Sequence, residues 1–308
     1  MSARFSAVAL APILALASAL PLSAAPRDSA PVDLGPILVT TEVVTLTVRP
    51  GVTLRYLAIF KPNTLPATAV ILFAGGNGLL DINANGKIGT DLEKNFLVRS
   101  RARFAGQGLL VAVVDTPGKV LLDGQIRLSP QYAQDIGHVI QDVRKRLKHW
   151  HNVKVWLVGT SSGTLSAAGV AARMPLIKAI PPYPAARKEK DNRWRASGIV
   201  LTSTQTEYVN EEDLTCGKIV YDAKLSAINV PALLVSHKDD KCLCSPPGAA
   251  PNVIAALTSV PANAKHGISF MDGDRPLSPS ACQALTPHGF FGIEDTVVKA
   301  IADWIQAH

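Results

Sequence analysis

Long apolar runs are scarce in this chain. Only the stretch from Ala7 to Leu22 stands out, and it falls short of the ~20 apolar residues a spanning helix needs. A multi-span membrane protein is therefore excluded. Internal repeats are absent, as is any linker that would separate two domains. Aromatic residues are not interleaved with basic ones along any stripe, which argues against a nucleic-acid surface. The net charge of +7 is dispersed, its densest cluster being Arg187-Lys188-Glu189-Lys190 with Arg193 and Arg195. Such a balance reads as a solvated surface. The chain also lacks a G-K-[ST] sequence and G-x-G-x-x-G spacing, so no phosphate-cradling loop is expected. Charged residues make up 18% against 47% hydrophobic, the reverse of a disordered composition. What remains is a globular chain with ample apolar surface for one large core.

The N-terminus has the form of a secretory leader. Arg4 precedes the apolar stretch, and the small residues Ser23-Ala24-Ala25 follow it. Cleavage is expected after Ala24 or Ala25, with Ala17-Ser18-Ala19 as a further option. An N-terminal membrane anchor is the competing reading. Residues 1–25 are thus assigned as leader and 26–308 as one domain, exported to the periplasm or medium, with no stable membrane span after processing. The four cysteines, Cys216, Cys242, Cys244 and Cys282, agree with export. Two disulfides are expected, and sequence alone allows three pairings. Cys242 with Cys244 is disfavoured by the strain of a one-residue separation. Cys242–Cys282 and Cys216–Cys244 are favoured.

Residues 26–36 are rich in Pro and Ala and read as a loose lead-in. Residues 43–49 and 53–60 flank Pro50-Gly51 and predict an antiparallel hairpin. Strands then alternate with helices. Strands are expected at 69–74, 109–114, 153–158, 199–202, 232–236 and 268–271. Helices are expected at 91–107, 129–150, 162–173 and 293–306. Ser129 is a candidate N-cap, with Pro130 in the first helical position. Near-continuous apolar strands between helices imply a mostly parallel sheet of about eight strands, covered on both faces. Residues 181–197 (PPYPAARKEKDNRWRAS) interrupt the alternation as a lid insertion or a surface loop.

Three pieces carry chemistry. Gly159-Thr160-Ser161-Ser162-Gly163 sits between an apolar strand and a helix rich in small residues. A serine hydroxyl needs exposure and a neighbouring base to become a nucleophile, and glycines on either side permit the tight turn that exposes it. Ser161 is the motif centre and the expected nucleophile. Asp239 and Asp240 follow the strand at 232–236. His288 lies in Pro287-His288-Gly289-Phe290, between the last strand and the last helix. Of seven histidines, only this one both follows the acid and sits in that connection. Upstream, Gly75-Gly76-Asn77-Gly78 follows the third strand, where small residues let backbone approach a substrate. His237, Asp239, Asp240, Cys242 and Cys244 are dense in potential ligands, yet their spacing matches no zinc pattern. No metal or organic cofactor is expected.

From about residue 40 onward, these pieces resemble the α/β-hydrolase superfamily. Its triads run serine, acid, histidine along the chain. The subgroup of closest likeness is that of exported bacterial hydrolases, through Asn95-Phe96-Leu97-Val98-Arg99 and the cysteines beside the acid and the histidine. The resemblance implies an α/β-hydrolase fold and a triad of Ser161, Asp240 and His288. Asp240 is preferred over Asp239 because the superfamily often reads h-G-x-x-D here, with His237 in the glycine's place. The oxyanion donors are expected from Ser162 and from Gly76 or Asn77. The implied activity is hydrolysis of small-molecule or polymeric carboxylic esters. A prolyl-oligopeptidase-like peptidase and a hydrolase-like binding protein are the alternatives. Oligomeric state is left open.

Overall fold

The computed structural model describes residues 37–147, 153–174, 194–211 and 214–308. The leader at 1–25, the lead-in at 26–36, the end of the helix expected to reach residue 150, and residues 181–193 of the insertion lie outside them.

The hairpin forms as expected. Strands β1 (Thr40–Arg49) and β2 (Val52–Phe60) pair antiparallel about Pro50-Gly51, with a bulge between Thr47 and Arg49. β2 then pairs antiparallel with β4 (Leu110–Val114). Every further pairing in this sheet is parallel. It adds β3 (Thr68–Phe73), β5 (Lys154–Thr160), β6 (Gly198–Thr202), β9 (Ala232–His237) and β10 (Lys265–Phe270). The result is an eight-stranded sheet in the order β1-β2-β4-β3-β5-β6-β9-β10.

Alternation along each strand divides the core in two, because successive side chains point to opposite faces. Ala69 and Ile71 of β3, Val155 and Leu157 of β5 and Leu234 of β9 pack with one helical layer. That layer comprises α4 (Pro130–Arg146), α5 (Gly163–Arg173) and α6 (Ala250–Ala256). Val70, Leu72, Trp156, Val158, Leu233 and Val235 pack on the other face. There they meet α1 (Phe96–Arg99), α2 (Arg101–Gly106) and α7 (Glu294–Ala307). The central strands are buried on both sides, so their runs are continuously apolar. This is the α/β-hydrolase fold.

Ser129 caps α4 by accepting from the Tyr132 N–H at 3.1 Å, with Pro130 opening the helix. The helix expected at 91–107 is instead three short pieces: a 3₁₀ turn at Asp91–Lys94, then α1 and α2. Asn95 causes the first break. Its backbone is extended, with φ −55° and ψ 141°, and its side chain accepts from the Leu97 N–H at 3.1 Å. A short amide side chain thereby competes with the helical ladder, as Asn does at caps. Three elements had no expectation from sequence: α3 (Gly124–Arg127), α6, and the ribbon of β7 (Val209–Glu211) with β8 (Leu214–Cys216). All three are short, below the length at which periodicity is informative.

Candidate active site

The site sits at the carboxyl ends of the central strands, where open α/β sheets place their ligands. Ser161 occupies the sharp turn from β5 into α5. Its φ is +54°, a left-handed conformation that costs a non-glycine residue about 1–3 kcal/mol. Local bonds hold it there. The Ser161 N–H donates to the Thr202 carbonyl at 3.0 Å, and the Ser161 carbonyl accepts from the Thr164 N–H at 2.9 Å and hydroxyl at 2.6 Å. The flanking glycines are required by space. A Cβ at Gly159 would collide with the Gly163 carbonyl, and one at Gly163 with the Phe73 carbonyl.

Asp240 and His288 lie in the connections that follow β9 and β10 and are brought together. Asp240 Oδ2 accepts from His288 Nδ1 at 2.9 Å, and both side chains are buried. Asp240 Oδ1 accepts from the Cys242 N–H at 2.9 Å, so both carboxylate oxygens are engaged. Asp239 is exposed and has no hydrogen bond to His288 among the described residues; its N–H donates to His237 Nδ1 at 3.1 Å. With Nδ1 accepting, His237 carries its proton on Nε2 and donates to the Asp272 carbonyl at 2.7 Å. That histidine therefore braces the acid loop. His288 Nε2 is buried and has no hydrogen-bond partner among the described residues.

The histidine loop is anchored from several sides. The Ser203 hydroxyl donates to the His288 carbonyl at 2.7 Å, and the His288 N–H donates to the Thr286 hydroxyl at 3.2 Å. Arg99, at the end of α1, donates to the Gly289 carbonyl at 2.6 Å, the Ala284 carbonyl at 3.2 Å and Glu294 at 2.8 Å. Bridges join Cys242 to Cys282 and Cys216 to Cys244. The first links the acid loop to the segment leading into His288. The second fastens β8 to the acid loop. The sulfurs of Cys242, Cys244 and Cys282 lie within 4.8 Å of one another. Because they belong to two adjacent disulfides, they are not thiolates available to a metal.

Gly75-Gly76-Asn77-Gly78 lies beside the Ser161 turn. A Cβ at Gly75 would approach the Ser161 Cβ to 3.0 Å. Gly76 takes a φ of +56°, which glycine adopts without cost. The Ser162 hydroxyl donates to the Gly76 carbonyl at 2.8 Å. The N–H groups of Ser162, Gly76 and Asn77 have no acceptor among the described residues. Downstream, Asp115 accepts from the N–H groups of Leu80 at 2.9 Å, Ile82 at 2.8 Å and Thr116 at 2.8 Å, fixing the segment that follows the glycines. Arg127 also touches this loop. Sequence reading missed it because it sits in one turn of helix with no motif spacing around it.

Two clefts meet at Ser161. One, of about 600 Å³, is lined by Asn77, Leu92, Phe96, Leu277, Leu285 and His288. The other, of about 660 Å³, is lined by Leu122, Arg127, Ser162, Leu165, Leu214 and Lys218. Both share Gly76, Ser161, Cys282 and Gln283.

Comparison with known proteins bears on the family and the fold. The family model described as X-Pro dipeptidyl-peptidase (S15 family) matches residues 57–232. Among solved structures, fungal esterases from Rhizomucor miehei superpose with a TM-score of 0.56 at 16% identity, over 90% of this chain and 85% of theirs. A cold-adapted esterase from an Arctic intertidal metagenomic library gives 0.52 at 15% identity, over 86% and 94%. An α/β serine hydrolase without a lid from Xanthomonas campestris gives 0.51 at 12% identity, over 89% and 97%. At these identities the likeness is one of fold. No curated protein matches the chain significantly.

Proposed function

The chain belongs to the S15 family, that of the X-Pro dipeptidyl-peptidases, and within that family we propose that it is an exported serine hydrolase that cleaves carboxylic esters through an acyl-enzyme. The observation carrying this reading is the buried Asp240–His288 pair, whose unpartnered Nε2 shares a cleft with Ser161 on its left-handed turn.

Ser161 Oγ attacks the substrate carbonyl carbon as its proton passes to His288 Nε2. Asp240 keeps the other ring proton on Nδ1 and stabilises the imidazolium. The oxyanion is received by the Ser162 N–H and by Gly76 or Asn77. His288 then gives the proton to the leaving-group oxygen, the carbon–oxygen bond breaks, and the alcohol departs. A water molecule, deprotonated by the same nitrogen, releases the acid. Because His288 lines only the first cleft, the leaving group departs through it. The acyl group then occupies the second, walled by both disulfides. Two clefts of similar volume suit a substrate with bulk on both sides of the scissile carbonyl.

The activity for which the family is named favours a second reading, a peptidase. Removal of a dipeptide requires recognition of a terminal ammonium. Asp91 and Asp123 are the carboxylates among the described cleft residues, and both are exposed. Asp123 already accepts from the Ile126 N–H at 2.7 Å. Exposed carboxylates attract weakly, which favours the ester. In addition, the family match ends before Asp240 and His288.

The test is fluorophosphonate labelling of wild type beside Ser161→Ala, followed by p-nitrophenyl esters and an Xaa-Pro p-nitroanilide. Labelling of wild type alone, with ester turnover dominant, supports the proposal. Dominant anilide turnover moves it to the peptidase. Equal labelling of both proteins places the nucleophile elsewhere.

A further inference from the structure

Arg127 is the largest charged side chain in the fully buried interior, with 1% of its surface exposed. No carboxylate among the described residues lies within ion-pair distance of it. A guanidinium so placed loses its hydration without the compensation of a counter-charge, which is costly unless its donors are used. Both terminal nitrogens are used, one on the loop beside Ser161 and one on α5, while Nε has no partner among the described residues. Nη2 donates to the Gly76 carbonyl at 2.9 Å and the Ala74 carbonyl at 3.2 Å, while Nη1 donates to the Ser166 hydroxyl at 2.7 Å. Ser166 is itself buried in α5, the helix that begins just after the nucleophile turn.

The Gly76 carbonyl thus receives two donors, Arg127 and the Ser162 hydroxyl. In a trans peptide the C=O and the following N–H point in opposite directions. With the carbonyl of the Gly76–Asn77 peptide turned inward, its N–H is turned outward. That N–H belongs to Asn77, which lines the same cleft as Ser161 and His288 and has no acceptor among the described residues.

We infer that Arg127 is a positioning residue of the oxyanion hole: it locks the Gly76–Asn77 peptide so that the Asn77 N–H, with that of Ser162, faces the substrate oxygen. The inference rests on the proposed acyl-enzyme chemistry and settles a choice between Gly76 and Asn77 in favour of Asn77. A hydrogen bond from a cation to the carbonyl also polarises the peptide and strengthens its N–H as a donor. The guanidinium acts through the loop and does not touch the reacting atoms.

The experiment compares Arg127→Met, Arg127→Lys and Ser162→Ala with wild type. Each is measured for kcat and KM on one p-nitrophenyl ester, for affinity toward a trifluoromethyl ketone that adds to the serine, and for thermal stability. Loss of one oxyanion donor costs about 10²–10³ in kcat. Arg127→Met should lower kcat by about 10² with KM within about twofold, and should weaken the ketone by the factor lost in kcat/KM. Arg127→Lys, which keeps a cation but loses the fork, should recover part of the loss. Ser162→Ala, at a half-exposed side chain, should fold and show the same signature more weakly. Folded Arg127→Met and Ser162→Ala proteins with wild-type kcat and ketone affinity would overturn the inference. So would losses that track only the fraction of folded enzyme. Failure of wild type to turn over any ester would instead strike the underlying reaction.

Discussion

Replacing Asp240 by Asn tests the site at its most constrained point. In the wild type both carboxylate oxygens accept: Oδ2 from His288 Nδ1 and Oδ1 from the Cys242 N–H, each at 2.9 Å. An amide has one oxygen and one NH₂. If its oxygen stays on the Cys242 N–H, the NH₂ faces Nδ1. The imidazole must then carry its proton on Nε2, and it no longer accepts one from Ser161. If the amide turns over, its NH₂ meets the Cys242 N–H. Burying two facing donors costs about 1–3 kcal/mol, which leaves the competent arrangement populated at roughly one part in five to one part in 150. Loss of the carboxylate charge, which stabilises the imidazolium, adds to this. The equivalent substitution in serine-protease triads lowers kcat by about 10⁴, and a similar loss is expected here. The assay is kcat on a p-nitrophenyl ester, with the melting temperature of each variant recorded. Asp239→Asn is the control, expected within about threefold of wild type because its exposed side chain leaves His288 untouched. A folded Asp240→Asn enzyme with near-normal kcat, or a larger loss in Asp239→Asn, would refute the assignment.

Other consequences can be measured on the same protein. Removing Cys216 and Cys244 together opens a loop with sequence separation 28; chain entropy sets the cost at about 3.5 kcal/mol, read as a drop in melting temperature of about 6 °C. Removing Cys242 and Cys282, at separation 40, should cost about as much stability and also lower kcat, because this bridge joins the acid loop to the histidine segment. Arg99→Met breaks a largely buried pair with Glu294 and frees the Gly289 and Ala284 carbonyls. A stability loss of about 3 kcal/mol in denaturant titration is expected, with a fall in kcat as the His288 loop loosens. Asp135 is paired with Arg49, but burial raises its pKa above the ordinary carboxylate value more than the pairing lowers it. Its folded form therefore favours the proton. The stability of wild type relative to Asp135→Asn should rise as pH falls through the raised pKa and level off below about pH 4. A relative stability that declines over that range would contradict the sign.

The sheet could be read in the chain because its central strands are buried on both faces, which leaves unbroken runs such as Ala69–Phe73 and Val155–Val158. The hairpin was legible from Pro50-Gly51, and the sharp turn at Ser161 from glycines that the packing at Phe73 and Gly163 requires. β10 was harder to bound. As an edge strand it exposes His266 and Gly267, so its apolar signal starts late. The segment at 91–107 looked helical because its composition is, while the interruption resides in one Asn95 side-chain hydrogen bond.

Chain order and residue type, then, determined the class of fold and the kinds of group that could meet at the site, since periodicity and turn chemistry act over a few residues. Which groups meet was decided only by folding. Asp239 and Asp240 are adjacent and identical in type, and their environments part only when one is buried against a histidine 48 residues away. Arg127 carries no local signal at all. Its role depends on a carbonyl 51 residues upstream and a hydroxyl 39 residues downstream, brought together by packing of α3 and α5 against the sheet. Distances of that kind are properties of the tertiary structure, because the free energy of a buried hydrogen bond exists only once water has been excluded from both partners.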